Sequence, residues 1–165
     1  MRSRPRARIR SGLASAFERA RSVLRSWVVD EALMRRRVAE ARVGRLATTR
    51  VDGRPHIVPC CFVLEGGDVV YTAVDDVKAK RSAGLLRLDN VRRNRNVSFL
   101  IDEYVEDWSA LWWIRLDGPA HVAEVGSREQ RAGSGLLAAK YEQYRASPPP
   151  GPVIAIEVTD WRAWP

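Results

Sequence analysis

Residues 42–74 read RVGRLATTRVDGRPHIVPCCFVLEGGDVVYTAV, and the reading of this stretch decides the fold. Arg42 to Arg50 reads as a strand, and Asp52-Gly53 supplies the positive-φ residue of a tight hairpin turn. Pro55 to Glu65 is the returning strand. Pro59 has no N–H to give a ladder, which places it at an edge or a bulge. Gly66-Gly67-Asp68 turns the chain again into a third strand, Asp68 to Val74. Tight turns of this kind join antiparallel neighbours.

Working outward, apolar residues at helical spacing mark Asp30 to Ala41 upstream and residues 79–93 downstream. Asn96 to Tyr104 and Ala110 to Val125 read as two further strands, the second bent near Gly118. Arg128 to Tyr144 reads as a helix that the run Ser147-Pro148-Pro149-Pro150-Gly151 ends, and Pro152 to Trp164 is a last strand. Six strands with tight hairpins in one small domain favour a mainly β, α+β fold. The expected architecture is a six-stranded antiparallel, closed or nearly closed barrel with helices outside it. A doubly wound parallel sheet needs a helix between most strands and a glycine-rich first turn, and this sequence has neither.

The chain has 165 residues, 45% hydrophobic and 29% charged, with a net charge of +8. This composition makes a globular core of its own. No run approaches the roughly 18 apolar residues of a membrane span, and the N-terminus lacks the apolar core of a secretory signal. The expected location is cytoplasmic. The charge is uneven: eight arginines and one acid, Glu18, lie in residues 1–26, so the remainder is nearly neutral. Residues 1–26 therefore read as a basic extension, a disordered start followed by an amphipathic helix, ahead of a domain over 27–165. Arg35-Arg36-Arg37 reads as a solvated helix face.

Arginine outnumbers lysine so heavily that Lys78, Lys80 and Lys140 stand out. Lys78, Lys80 and Arg81 follow the third strand and precede a helix, where compact cations and helix N-terminal amides suit a phosphate. The same pattern also describes a solvated basic loop. Lys140 sits on a helix face without that context. Cys60 and Cys61 are neighbours on a strand and point to opposite faces, so they suit neither a disulfide nor a shared metal. His56 and His121 are far apart, and no metal site is expected. Trp112 and Trp113 likewise face opposite ways, so at most one enters the core. The tryptophan-rich segment 108–113 favours a dimer interface or a ring-stacking pocket. No nucleophile-and-base constellation emerges, so reactive atoms are expected on a cofactor.

The run from Gly44 to Lys80, followed by a helix, NVRRNRNVSFLID and WWIRLDGPAHV, resembles the split β-barrel flavin and deazaflavin oxidoreductases related to pyridoxamine 5′-phosphate oxidase. The combination of DVKAKR, DNVRRNRNVSFLIDEY and EDWSALWWIRLDG is most similar to the actinobacterial branch that uses the deazaflavin coenzyme F420. The resemblance covers residues 31–165 and excludes the basic extension.

It implies a split barrel that is a homodimer, with cofactor sites at the subunit interface. It also implies phosphate binding by Lys78, Lys80 and Arg81, and a strand-end hydroxyl at Thr72. Pro59-Cys60-Cys61 would lie along the ring system, with Trp112 or Trp113 facing the interface. The implied activity is hydride transfer between F420 and an unsaturated small-molecule acceptor. FMN-dependent oxidoreduction or flavin carriage is the alternative, and the catalytic residues are not assigned. The chain ends in Thr159-Asp160-Trp161-Arg162-Ala163-Trp164-Pro165 and lacks the histidine-containing substrate motif of the vitamin B6 oxidases, which argues against that reaction. A reading of another class takes the arginine-rich residues 1–26 as a weak contact for anionic surfaces or nucleic acid. The near-neutral body argues against a dedicated nucleic-acid partner.

Overall fold

The computed structural model describes residues 30–75 and 83–164. The basic extension over 1–26 and the positions Lys78, Lys80 and Arg81 lie outside the described residues. In chain order the elements are α1 (Glu31–Glu40), β1 (Gly44–Thr49), β2 (Pro55–Cys60), β3 (Val63–Glu65), β4 (Val69–Ala73), α2 (Ala83–Arg93), β5 (Asn96–Glu103), β6 (Trp112–Ala123), α3 (Arg128–Lys140), β7 (Val153–Glu157) and β8 (Asp160–Trp164). Single 3₁₀ turns occupy Trp108–Ala110 and Glu142–Tyr144.

All ladders are antiparallel and run β2-β1-β5-β6-β7-β4-β3, with β8 also pairing β6. β2 and β3 close the two ends of this path without pairing each other, so the barrel is split there. β6 is the shared strand. Its first half pairs β5 on one side and β8 on the other, and its last four residues pair β7.

The split-barrel class stands, and the strand count is eight where six were expected, because two long runs each break once. In the first, Phe62 turns fully into the core and meets Phe99 edge-on at 4.9 Å between ring centroids. The Tyr141 hydroxyl, 2.9 Å from Phe62 N and 2.8 Å from Phe62 O, accepts the N–H that the ladder loses. In the second, Val158 and Thr159 cross over the bend of β6, their N–H groups donating to Asp68 O and Asp117 O. This crossing passes so close to Gly118 that a Cβ there would stand 1.9 Å from Glu157 O. Glycine is required for the approach.

Leu46, Phe99, Ile101, Ile114, Leu116, Ile154 and Ile156 fill the interior from alternate strand positions, each almost fully buried. Each contributes roughly 1.5–3 kcal/mol. α1 is capped by Asp30, whose carboxylate accepts the Ala32 N–H, and it buries Val38. α3 is capped by Ser127, and its buried Gln130 reaches back to the Gly126 N–H, a variant of the capping box.

The arginine triplet is not simply a solvated face. Arg35 bonds the Gly67 carbonyl, pairs with Glu31 and Asp68, and lies over the Trp161 ring at 4.9 Å; Arg37 lies over Trp112 at the same distance. Cation–π contact and apolar stems make these arginines part of the packing of α1. No described helix is long and apolar enough to cross a membrane.

Candidate functional site

The end of β4 and the inner face of α2 assemble a polar cluster inside one end of the barrel. Alternation along β4 puts Thr72 on the same inward face as Val70, and Thr48 follows Leu46 inward on β1. α2 contributes Arg87 and Asn90 one turn apart. Thr72, Thr48, Asn90 and Arg87 are all buried, at 1, 4, 2 and 7% exposure.

Asn90 donates to the Thr48 hydroxyl at 2.9 Å, and that hydroxyl lies 3.4 Å from the His56 ring. Arg87 Nη2 donates to the Ala73 carbonyl at 3.0 Å. Burial lowers the His56 pKa, and the nearby Arg50 and Arg87 cations lower it further. Burial raises the Cys60 thiol, an effect that Thr72 and Arg87 partly offset. Even so, Thr72 Oγ1 makes no hydrogen bond of normal geometry, and neither does Arg87 Nε.

Just beyond β4, Asp75 accepts a hydrogen bond of 2.7 Å from the Tyr144 hydroxyl. Burial, with the Asp75 contact second, raises the Tyr144 pKa. This contact ties the 3₁₀ turn after α3 to the point where β4 gives way to the Lys78 segment.

Outside the barrel, the outward residues of β2, β1, β5, β6 and β8 form one sheet face. The register runs Pro59, Arg45, Leu100, Arg115, Arg162 across it, with Ile57, Ala47, Ser98, Asp117, Asp160 in the adjoining row. Ion pairs of Arg45 with Asp102, Arg115 with Asp117 and Arg162 with Asp160 alternate here with apolar side chains, and Ile57 is 63% exposed. A cleft of about 440 Å³ opens at one end, lined by Ala47, Thr49, Pro55, Ser98 and Asp117 among others.

α3 lies on the other half of the sheet, against β3, β4 and β7. Gly133 permits this, since a Cβ there would already press Val153 and Tyr71. Lys140, expected on an ordinary helix face, is instead half-buried. Its ammonium lies 4.2 Å from the Phe62 ring centroid without a hydrogen-bond partner. Burial first, then Arg42, lowers its pKa to about 8.

Comparison with known proteins now fits this geometry. Residues 31–165 match the family described as Pyridoxamine 5'-phosphate oxidase. The chain belongs to that family. Among curated proteins it is 31% identical over 91 residues to the 5a,11a-dehydrotetracycline/5a,11a-dehydrooxytetracycline reductase of Streptomyces rimosus. That alignment covers 53% of this chain and 60% of the reductase, so the match spans about three-fifths of the relative's length. Among solved structures, a conserved hypothetical protein from Mycobacterium tuberculosis superposes with a TM-score of 0.66 at 20% identity, covering 83% of this chain and 85% of that one. An FAD binding protein from Mycobacterium smegmatis gives 0.55 at 19% identity, covering 82% and 94%. These structures share the fold.

Within this pyridoxamine 5′-phosphate oxidase-like fold, the described residues singled out from the sequence fall in four places. Thr72 and Cys60 meet inside the barrel end, beside Arg87. Cys61 faces the other way, packed with Leu137, Tyr141 and Tyr144 under α3. Pro59 and Trp113 share the outer face, but β1 and β5 lie between them, a lateral separation of roughly 14 Å. Trp112 points inward, 8% exposed, with its indole N–H on Glu103 at 3.0 Å. Of the two tryptophans, Trp113 therefore belongs to the outer face.

Arg87, Asn90, Thr48 and His56 belong to this polar cluster, and the sequence reading did not bring them together. Their one available signal was Arg87 and Asn90 on the same helix face as Leu88 and Val91, where a polar residue demands a partner. Among the described residues no serine or cysteine is hydrogen-bonded to a histidine, and none form a group of three metal-ligating side chains.

Proposed function

We propose that this member of the flavin-binding oxidoreductase superfamily is a reductase that uses the deazaflavin coenzyme F420. Its reaction would be hydride transfer between the coenzyme and an unsaturated small-molecule acceptor. The observation that carries the reading is the 31% identity over 91 residues with a reductase whose named substrate is a dehydro compound. The resemblance of DVKAKR and EDWSALWWIRLDG to the F420 branch points the same way.

The residues present fit a cofactor of this kind. A buried cation and a buried hydroxyl, both with unpartnered polar atoms, lie at the end of β4. They adjoin the segment that carries Lys78, Lys80 and Arg81. When bound, a deazaflavin supplies or accepts the hydride. The chain's own part is to hold the anionic group at the β4 end, lay the ring system beside Pro59 and Cys60, and keep water from it.

A second copy of the chain is part of the proposal. The five-strand outer face separates Pro59 from Trp113 within one subunit, and a partner laid across it brings a second tryptophan toward each site. Light scattering that finds a stable monomer at micromolar concentration removes this element.

The test is fluorescence titration of the full chain with coenzyme F420, FMN and FAD, followed by turnover of the reduced cofactor with an enone acceptor. Tight binding of F420 with acceptor-dependent oxidation supports the reading. Tight FMN binding with no F420 binding moves the protein to the flavin alternative.

A further inference from the structure

We propose that Arg87 is an anion-binding residue of the cofactor site, its guanidinium and the Thr72 hydroxyl together receiving a phosphate oxygen of the ligand. This rests on the reading of the chain as a protein for a flavin-type cofactor. It adds a ligand-holding residue on α2, outside the basic segment after β4.

An arginine carries five N–H donors and a permanent charge, so a buried one is normally matched by a carboxylate. Arg87 is 7% exposed, yet its described hydrogen bonding consists of one bond, from Nη2 to the Ala73 carbonyl. Its Nε is closed off from solvent without an acceptor, and no described carboxylate pairs with it. Holding one backbone carbonyl needs a neutral donor and no charge. Burying the guanidinium for that purpose alone is unfavourable.

The second observation is independent of the first. Thr72 is 1% exposed, and its Oγ1 makes no hydrogen bond of normal geometry, with only the weakly polar Cys60 thiol beside it. Two desolvated polar groups without a normal hydrogen bond, both beside the end of β4, are uncommon in a folded protein. Their chemistry is complementary to one kind of guest. A charged donor and a hydroxyl donor together match an oxyanion.

The surroundings have the same sign. His56 sits close enough to Arg50 and Arg87 for both cations to disfavour its protonation, so positive potential already collects at this end of the barrel. Arg50 is engaged with Asp52 at 3.6 Å on the exposed hairpin. Among the described residues Arg87 has no such counter-charge, and its bond to Ala73 fixes it where β4 ends. A phosphate monoester or diester reaching this point meets a guanidinium that no described carboxylate neutralises.

The test compares ligands that differ only in phosphate. The full chain is titrated with FMN and riboflavin, and with coenzyme F420 and its phosphate-free chromophore. Arg87→Met and Arg87→Gln are compared with wild type. Replacing a buried charge by an apolar side chain of similar length is often neutral for stability, so Arg87→Met is expected to fold.

In both variants the phosphate-bearing ligand should bind roughly 10- to 100-fold more weakly, the scale of charge-assisted hydrogen bonds. The affinity of the phosphate-free partner should stay within about twofold. Equal weakening of both ligands, no change in either, or failure of both variants to fold makes Arg87 a structural residue and overturns the proposal. If wild type binds no cofactor, the functional reading fails separately. The inference is then decided by inorganic phosphate. A rise in wild-type melting temperature with phosphate that Arg87→Met loses sustains it, and no rise rejects it.

Discussion

Replacing Gly118 by alanine should damage the fold more than any other addition of one methyl group in β6. The perturbation is defined by geometry. A Cβ at this position would stand 1.9 Å from Glu157 O, 2.9 Å from Glu157 C and 3.2 Å from Thr159 N. Backbone surrounds it, so no side chain is available to swing away. To reach ordinary contact, the link between β7 and β8 must retreat by about 1.5 Å.

That retreat strains the two bonds that hold the link, Val158 N to Asp68 O at 2.8 Å and Thr159 N to Asp117 O at 3.0 Å. Losing both costs about 1–3 kcal/mol, and overpacking adds about 1–3 kcal/mol. A total of about 2–6 kcal/mol at about 2–4 °C per kcal/mol lowers the melting temperature by roughly 4–24 °C. Gly135 is the matched control, since nothing lies within 4 Å of its added Cβ on α3. Gly135→Ala should stabilise by about 0.5–1 kcal/mol through helix propensity. Thermal unfolding by circular dichroism reads both. A Gly118→Ala protein melting within 2 °C of wild type would refute the crossing geometry.

Tyr141→Phe should destabilise by about 1–3 kcal/mol, because it strands the buried Phe62 N–H at the β2–β3 break; urea denaturation measures it, and a loss under 0.5 kcal/mol counts against this role. Lys140 titrates near 8 in the folded protein against 10.5 as its ordinary value, so between these values the unfolded chain binds more protons and stability rises with pH. The rise is about 1–2 kcal/mol once discounted for the half-open side of the group. It is cleanest between pH 8 and 10, because Tyr141, pushed up to about 12, and Tyr144, also raised, reverse the slope above that. Lys140→Met should flatten it, and an unchanged slope in that variant assigns the effect elsewhere. Lys78→Ala and Lys80→Ala should each weaken cofactor binding by roughly 10- to 150-fold. Exposed Arg128 serves as the control; Lys140, packed against Phe62, is unsuitable. Wild-type affinity in both lysine variants would exclude a phosphate site there.

The strands, their antiparallel order and the family were legible in the sequence because each rests on local information. Gly53, Gly66 and Gly67 have positive φ at the expected turns, and period-two alternation set the inward faces of β1 and β5. The splitting of two long strands was not legible. It depends on Tyr141 meeting Phe62 from 79 residues away, and on β7 passing over Gly118.

The site divides along the same line. Thr72 and Cys60 were reachable from motif and resemblance, because their neighbours in sequence are also their neighbours on a strand. Arg87 and Asn90 were not, because a polar residue on an amphipathic helix acquires its meaning from what the opposite strands present. Lys140 shows the same limit. Its place on a helix was readable, but its altered proton affinity comes from burial against Phe62 and from Arg42, both distant in sequence. Local periodicity and turn chemistry act through adjacent residues, so the sequence alone determined the strands, the turns and the kinship of this protein. Burial and electrostatic fields are sums over residues distant in the chain, and only tertiary structure decided which polar groups were left without partners.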